Sequence, residues 1–381
     1  MTTGTRLAPV VTVNVRRLAR RRTGIERYME RLIDTLHSTG GAQVLATTCE
    51  PLPAGMLPGA EILIHPMPGL QAGRLRSQLR KLWFDGWGCL APVRNRGRIL
   101  FHGMDGLAPR SLRRSDRCVV TIHDLAFAVH PELYDRRTRL LYRAVLPWVL
   151  RRADRIIADS AQTAGDLMRL AGTPASRIEV VHLGVEPRYF HQPALDPRPG
   201  PWGGGPYVLA VGGISPRKNG RRVLEAFTRW RARGGWRHAY RLLVAGQSLD
   251  PAFAGPGPAA VPDGVTLLNH VDDEALHTLY ARAAVLLFPA LYEGFGLPIL
   301  EAMALGTPVV TSVTGSAPEA AGDAAVLVDP FDADSIATGL ELALQPEEQR
   351  RLRCEGPVQA RRFTWERTAA ATAEVYRALA G

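Results

Sequence analysis

Cysteine and lysine are both scarce in this chain. Among its 381 residues are four cysteines, which stand far apart and without the spacing of metal ligands: Cys49, Cys89, Cys118 and Cys354. We therefore predict neither a disulfide framework nor a metal site, and we expect reduced thiols, as in a cytoplasmic protein. Only two of the 47 basic residues are lysines, Lys81 and Lys218. Among so many arginines, a lysine indicates a position that needs a compact point charge.

Long apolar runs are also missing. No run approaches the roughly 20 apolar residues that a membrane-spanning helix needs, and the first residues lack the apolar core of a signal peptide. We therefore expect a cytoplasmic protein without membrane spans. The apolar fraction of 46% is typical of a globular protein, and the length of the chain predicts two domains.

Positive charge is concentrated in the first half of the chain. The formal net charge is +11, and residues 1–190 contain 29 Arg and Lys against 16 Asp and Glu, whereas the remaining residues contain 18 against 20. Such asymmetry predicts an anionic partner, which could be a membrane surface, nucleic acid or an acidic substrate. Nucleic acid is the least favoured of these, because the sequence has no recognition helix, zinc spacing or aromatic RNA-binding motif.

Strand-like runs alternate with helical patterns along the whole chain. This alternation predicts an α/β fold of two Rossmann-like, doubly wound domains, each with a mostly parallel sheet covered by helices on both faces. A stretch rich in proline and glycine at 191–206 predicts the linker. The domains then cover 1–190 and 207–361, and a last helix covers 362–381, with packing against the N-terminal domain as one option.

The stretch Tyr292 to Leu305 is the most distinctive in the sequence. An apolar, strand-like run precedes it at 284–288, and a β-branched run follows it at 309–311. Pro298 suits the first turn of a helix and Gly306 suits the position just after its end, which predicts a helix from about Leu297 to Leu305. The segment is thus a strand, loop, helix, strand unit.

Two acids flank a Gly-x-Gly turn in this unit. Glu293 lies on the loop and Glu301 one turn inside the helix, while Gly294 and Gly296 leave the backbone open to a ligand. The free N–H groups at the helix start favour an anion. Either acid alone could be a solvated charge or a charge that interacts favourably with the helix dipole. The pair at the carboxyl end of a strand instead predicts a site for a phosphorylated ligand with a polyhydroxylated part.

A second candidate loop follows the predicted strand Tyr207–Val211. It reads G-G-I-S-P-R-K-N-G and places Arg217 and Lys218 just before a helix, with Asn219 as the predicted N-cap. Cations and backbone donors at a helix start can together hold a diphosphate. The alternative is an ordinary surface turn in an arginine-rich protein.

Three positions stand out in the first half. Gly24 lies in the first strand-to-helix turn, where phosphates often bind. His123 and Asp124 end a strand in T-I-H-D-L, which predicts a place at the ligand edge of the sheet, and His102 ends another strand and is expected to border an acceptor site. The alternative for each histidine is a polar residue whose hydrogen bonds are satisfied within the fold.

Two helical segments of the first half carry further predictions. Residues 74–84 combine an apolar stripe with flanking basic residues, a pattern that suits a helix lying on an anionic bilayer. An ordinary helix that buries its leucines fits the same pattern, slightly better. Residues 136–152 form a long helical stretch that contains Pro147, so a kink or a break is expected there.

Several motifs together resemble one known family over nearly the whole chain. They are T-G-I-E-R-Y at 23–28, I-H-D-L at 122–125, A-D-R-I-I-A-D-S at 153–160, V-H-L-G-V at 181–185, V-G-G-I-S-P-R-K-N at 211–219, E-G-F-G-L-P-I-L-E at 293–301 and G-S-A-P-E at 315–319. The sequence resembles the retaining GT-B glycosyltransferases of family 4, which use nucleotide-sugar donors. The resemblance implies two Rossmann-like domains that face each other across a cleft, with the donor held mainly by the second.

The resemblance also implies roles for particular residues. Catalytic roles fall to His123, which approaches the donor sugar, to Glu293, near the reacting carbon, and to Lys218, on the diphosphate. Glu301 corresponds to the acid that binds the ribose diol, and the other implied donor contacts are Gly24, Gly213, Arg217, Gly294, Phe295, Gly296 and Leu297. Many members have an arginine where this chain has Gly213, so Arg217 is expected to supply the second cation. No metal and no cofactor are implied, since the nucleotide-sugar is a co-substrate.

The expected reaction is transfer of a hexose with retention to a hydroxyl of a glycan, glycolipid or natural product. The motif spellings are most similar to the bacterial mannosyl- and rhamnosyltransferase branch, which implies GDP-mannose as the donor. A UDP-sugar donor is one alternative, and a basic protein that binds nucleic acid or membrane without catalysis is another. A glycoside hydrolase also needs paired carboxylates but has no use for a phosphate site. The basic first domain adds a peripheral position at the inner face of the membrane as a second expected location.

Overall fold

The computed structural model describes residues 8–19, 24–65, 83–193, 204–234, 239–246 and 261–380. The chain forms two compact units: unit 1 comprises Met1–Gly184 and Trp365–Gly381, and unit 2 comprises Val185–Thr364. Residues 185–190, which the sequence analysis assigned to the first domain, thus belong to unit 2, and the terminal helix belongs to unit 1.

Unit 1 contains a parallel sheet of seven strands in the order β3-β2-β1-β4-β5-β6-β7. The strands are β1 (Val10–Asn14), β2 (Gln43–Thr48), β3 (Glu61–Ile64), β4 (Leu100–Gly103), β5 (Arg117–Ile122), β6 (Arg155–Ala158) and β7 (Ile178–Val180). The strand order reverses between β1 and β4, and such a point is where open α/β sheets bind ligands at the carboxyl ends of their strands.

Unit 2 repeats this topology with six parallel strands in the order β10-β9-β8-β11-β12-β13. The strands are β8 (Tyr207–Val211), β9 (Arg241–Ala245), β10 (Val265–Asn269), β11 (Val285–Phe288), β12 (Val309–Ser312) and β13 (Val326–Val328). Here the order reverses between β8 and β11. The prediction of two doubly wound parallel sheets is confirmed.

The helices alternate with these strands. Unit 1 has α1 (Gly24–Ser38), α2 (Ala126–Val129), α3 (Arg136–Arg152) and α4 (Ala161–Ala171); unit 2 has α5 (Gly220–Ala232), α6 (Asp273–Arg282), α7 (Leu297–Ala304), α8 (Ala317–Ala321), α9 (Ala333–Ala343) and α10 (Pro346–Ala360); and α11 (Trp365–Ala380) returns to unit 1. Short 3-10 helices include Arg16–Ala19 and Gly88–Arg96. Each unit buries its own cluster of apolar side chains between sheet and helices.

Helix α3 runs without interruption through Pro147. Of the kink or break expected at this residue, the break is therefore wrong, and the kink stays a prediction. Proline inside a helix costs about 3 kcal/mol because it removes one backbone hydrogen bond. Val149 and Leu150, in the last turn, are buried in the core of unit 1, and the burial of such apolar side chains offsets that cost.

The segment 74–84, which the sequence associated with a bilayer, lies outside the described residues except for its last two. Trp83 is 46% exposed, whereas Phe84 is fully buried. Within the described ranges no helix combines the length and the apolar character that crossing a membrane requires. All four cysteines are free thiols, and only Cys354 is exposed.

Candidate functional site

The candidate site of unit 2 lies where its strand order reverses. Strands β8 and β11 are neighbours there, and each continues into one of the two loops that the sequence singled out. The loop after β8 carries Arg217 and Lys218, and the loop after β11 carries Glu293. A hydrogen bond of 3.0 Å from Leu291 N–H to the carbonyl of Arg217 ties the two loops together.

Both cations of the first loop converge on the carboxylate of the second. Lys218 Nζ lies 2.6 Å from Glu293 Oε1, and Arg217 Nη1 lies 2.9 Å from the same oxygen. The side chains of Lys218 and Glu293 are 15% and 12% exposed, while that of Arg217 is 32% exposed. Lys218 Nζ also lies 4.8 Å from the ring centroid of Phe288, a cation–π contact. Two partly buried positive charges thus share one negative charge.

Glycines allow the first loop to pass close beneath Lys218. Gly212 and Gly213 both have positive φ, at 98° and 69°, and both donate their N–H to the carbonyl of Ala245, at 2.8 and 2.9 Å. A Cβ on Gly212 would lie 2.9 Å from Lys218 Cγ, and one on Gly246 would lie 2.5 Å from the backbone nitrogen of Gly213. The positive φ of Gly213 gives a local reason why no arginine occupies this position.

Asn219 is the N-cap residue of α5, as predicted, but it does not cap the helix with its side chain. It precedes the helix in a left-handed conformation, with φ of 61°, and its side chain makes no capping hydrogen bond. Its amide instead donates to the carbonyls of Pro289 and Pro330, at 3.0 and 2.6 Å. Asn219 therefore joins the loops after β8, β11 and β13, a role that depends on residues distant in the sequence.

The start of α7 completes this site. Gly296 is the N-cap residue with φ of 101°, and Pro298 lies in the first turn, as predicted. Glu301 lies on the helix and is 7% exposed. Ser316 Oγ donates to the carbonyl of Glu293 at 2.8 Å and so fixes the loop from the far side.

The remaining predicted donor contacts lie around this helix start. Gly294 and Leu297 are partly exposed, whereas Phe295 is 3% exposed and packs edge-on against Phe363 with ring centroids 5.4 Å apart. The side chain of Phe295 is thus part of the core of unit 2 and is not available to a ligand.

In unit 1, His123 is held by an acid that the sequence analysis missed. His123 follows β5, and its Nδ1 donates to Asp159 Oδ2 at 2.7 Å, while its Nε2 donates to the carbonyl of Met104 at 2.8 Å. The ring of Tyr28 contacts it edge-on at 4.8 Å. Asp159 directly follows β6, which is the neighbour of β5 in the sheet. An acid at the carboxyl end of a neighbouring strand is therefore the sequence feature that could have identified it.

The pKa of His123 is shifted upward. Burial alone would lower its pKa, but the charge of Asp159 and the hydrogen bonds to Asp159 and Met104 outweigh burial and raise the pKa to about 9. His123 is therefore an imidazolium at neutral pH, with both N–H groups donated within the fold. In this arrangement its contribution to chemistry is a fixed positive charge.

We expect Asp159→Asn to lower the pKa of His123 by at least about one unit, because it removes the main charge that favours the imidazolium. A histidine pKa raised on folding stabilises the folded state fully below about pH 6.5, and the contribution is lost as pH rises through about 9. At neutral pH the free energy of unfolding of the variant should be lower than that of the wild type by up to about 3 kcal/mol. Between about pH 6.5 and 9 it should fall less steeply with rising pH than in the wild type. An NMR titration of the imidazole and unfolding curves between pH 6 and 10 measure both effects.

Asp124→Asn is the matched control, because Asp124 raises the same pKa only as the smallest of the causes. Its pKa effect should be clearly smaller. An unchanged His123 pKa in Asp159→Asn would contradict the electrostatic role of Asp159.

His102 does not border a surface where an acceptor could bind, so its prediction is wrong. Its side chain is fully buried, with Nδ1 2.6 Å from Tyr376 Oη and Nε2 2.8 Å from Thr121 Oγ1. Burial, with the nearby charge of His123, lowers its pKa to about 3. His102 is thus a neutral core residue that joins β4 and β5 to α11.

The other two predicted residues of unit 1 are accessible. Asp124 is partly exposed, and its Oδ1 accepts from Ala126 N–H at 3.1 Å at the start of α2. Gly24 begins α1, is exposed, and a Cβ there would meet nothing within 4 Å. The described fold gives no steric reason for a glycine at this position.

Comparisons with known proteins agree with this arrangement. The family model described as glycosyl transferases group 1 matches residues 193–355, and the model for glycosyltransferase family 4 matches residues 22–189. The O-antigen chain mannosyltransferase B of Escherichia coli is 32% identical in an alignment of 332 residues, which covers 81% of this chain and 84% of that protein.

Solved structures share the fold at lower identity. Sucrose-phosphate synthase from Thermosynechococcus elongatus superposes with a TM-score of 0.74 at 24% identity, over 98% of this chain and 99% of the other. The Anabaena protein HepE, solved with UDP and glucose, gives 0.69 at 16% identity, over 97% and 100%. Two doubly wound units, two matching family models and a relative that matches along most of its length lead to one conclusion: the chain belongs to glycosyltransferase family 4 and is a glycosyltransferase of the GT-B fold.

Proposed function

We propose that this glycosyltransferase moves a hexose from a nucleotide-sugar, with GDP-mannose as the first candidate, to a hydroxyl of a glycan, glycolipid or natural product, with retention of configuration. The observation that carries the proposal is the convergence of Lys218 and Arg217 on Glu293 beside the start of α7. Each of these groups can bind one part of a sugar diphosphate.

The two cations and the helix start suit the diphosphate. Lys218 offers a compact charge that is only 15% exposed, and Arg217 offers a guanidinium that can bind phosphate oxygens in pairs. The positive end of the α7 dipole also favours an anion. When the sugar leaves, negative charge builds on the diphosphate, and donors already in place stabilise that charge most strongly in the transition state.

The two acids suit the hydroxyl groups of the donor. Glu293 lies on the loop next to the cations, where its carboxylate can accept hydrogen bonds from the sugar once the diphosphate has taken its place at Lys218 and Arg217. Glu301 lies one turn inside α7, within reach of a ribose diol bound to the same phosphates. The backbone of Phe295, Gly296 and Leu297 supplies the remaining contacts between the two acids.

In the proposed reaction the acceptor hydroxyl attacks from the face that the nucleoside diphosphate leaves. The bond between the anomeric carbon and the phosphate oxygen breaks, the bond to the acceptor oxygen forms, and the departing phosphate takes the acceptor proton. The protein needs no cofactor for this step, and Lys218 and Arg217 supply the positive charge that other transferases obtain from a metal. Turnover should therefore persist in the presence of EDTA.

The choice of nucleotide and sugar has one main rival. The E. coli relative is named as a mannosyltransferase, which supports mannose, whereas HepE was solved with UDP and glucose, which keeps UDP-glucose as the alternative. A thermal-shift panel of GDP-, UDP-, TDP- and ADP-sugars distinguishes them, because a bound donor raises the melting temperature by mass action. The anomeric configuration of the product, read by NMR, tests retention: an inverted product, or no shift with any nucleotide-sugar, would overturn the proposal.

A further inference from the structure

Unit 1 contains a cavity of about 980 Å³ that no role in the proposed transfer uses. Helix α3 forms one side of the cavity. Helix α2, the end of α4 and the turn after α4 form the other side. Its volume is at the upper end of the roughly 300–1,000 Å³ that ligand pockets span. Neither family model nor relative assigns it a ligand.

The charge of the cavity has one sign. Five arginines line it and no acid does: Arg136, Arg139, Arg143, Arg151 and Arg177. Arg177 donates to the carbonyls of Leu150 and Ala153 at the end of α3. The other four have no ion-pair or hydrogen-bond partner within the described part of the chain. Four uncompensated guanidinium groups around one cavity create a strong field for an anion.

The helix α3 presents these arginines together with apolar side chains. Nine residues of α3 line the cavity, and all of them except Tyr142 follow the i, i+3, i+4, i+7 spacing of a single helix face: Arg136, Arg139, Leu140, Arg143, Leu146, Pro147, Leu150 and Arg151. Arg137 and Leu141 belong to the same helix but do not line the cavity. These two residues are therefore matched controls for the arginines and leucines that do line it.

The apolar part of the cavity runs from its floor to its rim. Leu150 is buried at the floor, and Phe127 stacks on Tyr142 with ring centroids 4.3 Å apart along one wall. At the rim, Leu140 is 66% exposed and Leu170 is 41% exposed. Large leucines left in water beside an open cavity indicate a surface that an apolar partner covers.

We propose that this cavity binds the headgroup of a phosphorylated lipid at the surface of an anionic bilayer. The unpaired arginines match the phosphate, and Leu140, Leu170 and the aromatic pair match the first part of the hydrocarbon chain. A free phosphate or a nucleic acid would explain the arginines but not the exposed apolar side chains. A phosphorylated lipid explains both features. The inference depends only on unit 1, so it stands or falls separately from the donor site of unit 2.

Vesicle co-sedimentation tests the proposal directly. The protein should bind vesicles of phosphatidylcholine that contain phosphatidic acid, and it should not bind phosphatidylcholine alone. Arg139→Gln/Arg143→Gln should weaken binding about thirtyfold, because each arginine near an anionic surface contributes about 1 kcal/mol, or about fivefold in affinity. The charge-matched control, Arg114→Gln/Arg137→Gln, changes two exposed arginines outside the cavity and should keep nearly full binding.

A second pair of variants tests the apolar part. Leu140→Gln should weaken binding severalfold, whereas Leu141→Gln, 59% exposed on the same helix but outside the cavity, should not. Circular dichroism checks that each variant folds, and the nucleotide-sugar thermal shift should be unchanged in all of them. No binding by the wild type, equal loss in the control pairs, or full displacement by inorganic phosphate would each overturn the lipid site.

Discussion

Replacing Lys218 by alanine is expected to lower kcat/KM about a thousandfold, which corresponds to about 4 kcal/mol in the activation barrier. Lys218 Nζ is a partly buried charge held 2.6 Å from Glu293, in a loop whose glycines leave room only for its extended side chain. Its removal takes away the donor that we propose for the departing diphosphate. Most of the loss should appear in kcat, because the charge that Lys218 stabilises develops in the transition state.

The stability of the Lys218→Ala variant should fall by only about 1 kcal/mol, since Arg217 still pairs with Glu293 at 2.9 Å. Arg221→Ala is the matched control: this arginine is exposed in the first turn of α5, and its loss should leave turnover within a factor of about three. Steady-state kinetics with thermal unfolding of both variants measure these effects. A Lys218→Ala enzyme that is folded and within tenfold of normal turnover would refute the role of Lys218.

The local elements of the fold were accessible from the sequence because their signals are local. The helix predicted from Leu297 to Leu305 is observed as Leu297–Ala304, since Pro298 and Gly306 mark its two ends. The bounds of β8 were predicted without error, because it is a short β-branched and apolar run that the sheet buries. The parallel topology followed from the alternation of these elements.

Contacts between distant residues could not be read in the same way. His102 and His123 both end or follow a strand with similar flanking residues, and sequence alone gave both a place near ligands. Tyr376, from the last helix, closes over His102, while Asp159 turns His123 into a fixed cation. The difference between a neutral histidine and a charged one was set by partners 274 and 36 positions away.

The cavity of unit 1 is a third case. The spacing of the arginines along α3 is visible in the sequence, but the elements that face them across the cavity are not. The sequence predicted a helix at 136–152 that contains Pro147. The spacing of its arginines indicates a binding site only when α2 and the end of α4 are seen to form the opposite wall of the cavity. The basic first half of the chain predicted an anionic partner without a position on the fold. The proposed position depends on which arginines the structure leaves unpaired.

Replacing Glu293 by glutamine is expected to change binding and turnover in opposite directions. In the structure the Glu293 carboxylate neutralises Lys218 and Arg217, so a diphosphate must compete with it for both cations. Without that negative charge, GDP and UDP should bind about tenfold more tightly, a gain of about 1.4 kcal/mol. Turnover should nevertheless fall by about two orders of magnitude, because the proposed contact to the donor sugar is lost.

Isothermal titration calorimetry with GDP and UDP, combined with initial rates, measures both directions in the same preparation. Glu225→Gln is the matched control, because it removes the same charge from an exposed pair with Arg229 on α5 and should alter neither quantity. If Glu293 only supported the loop, its substitution would weaken nucleotide binding and turnover together. Tighter binding of the nucleoside diphosphate with slower transfer can arise only if the carboxylate shares its cations with the diphosphate and acts on the sugar.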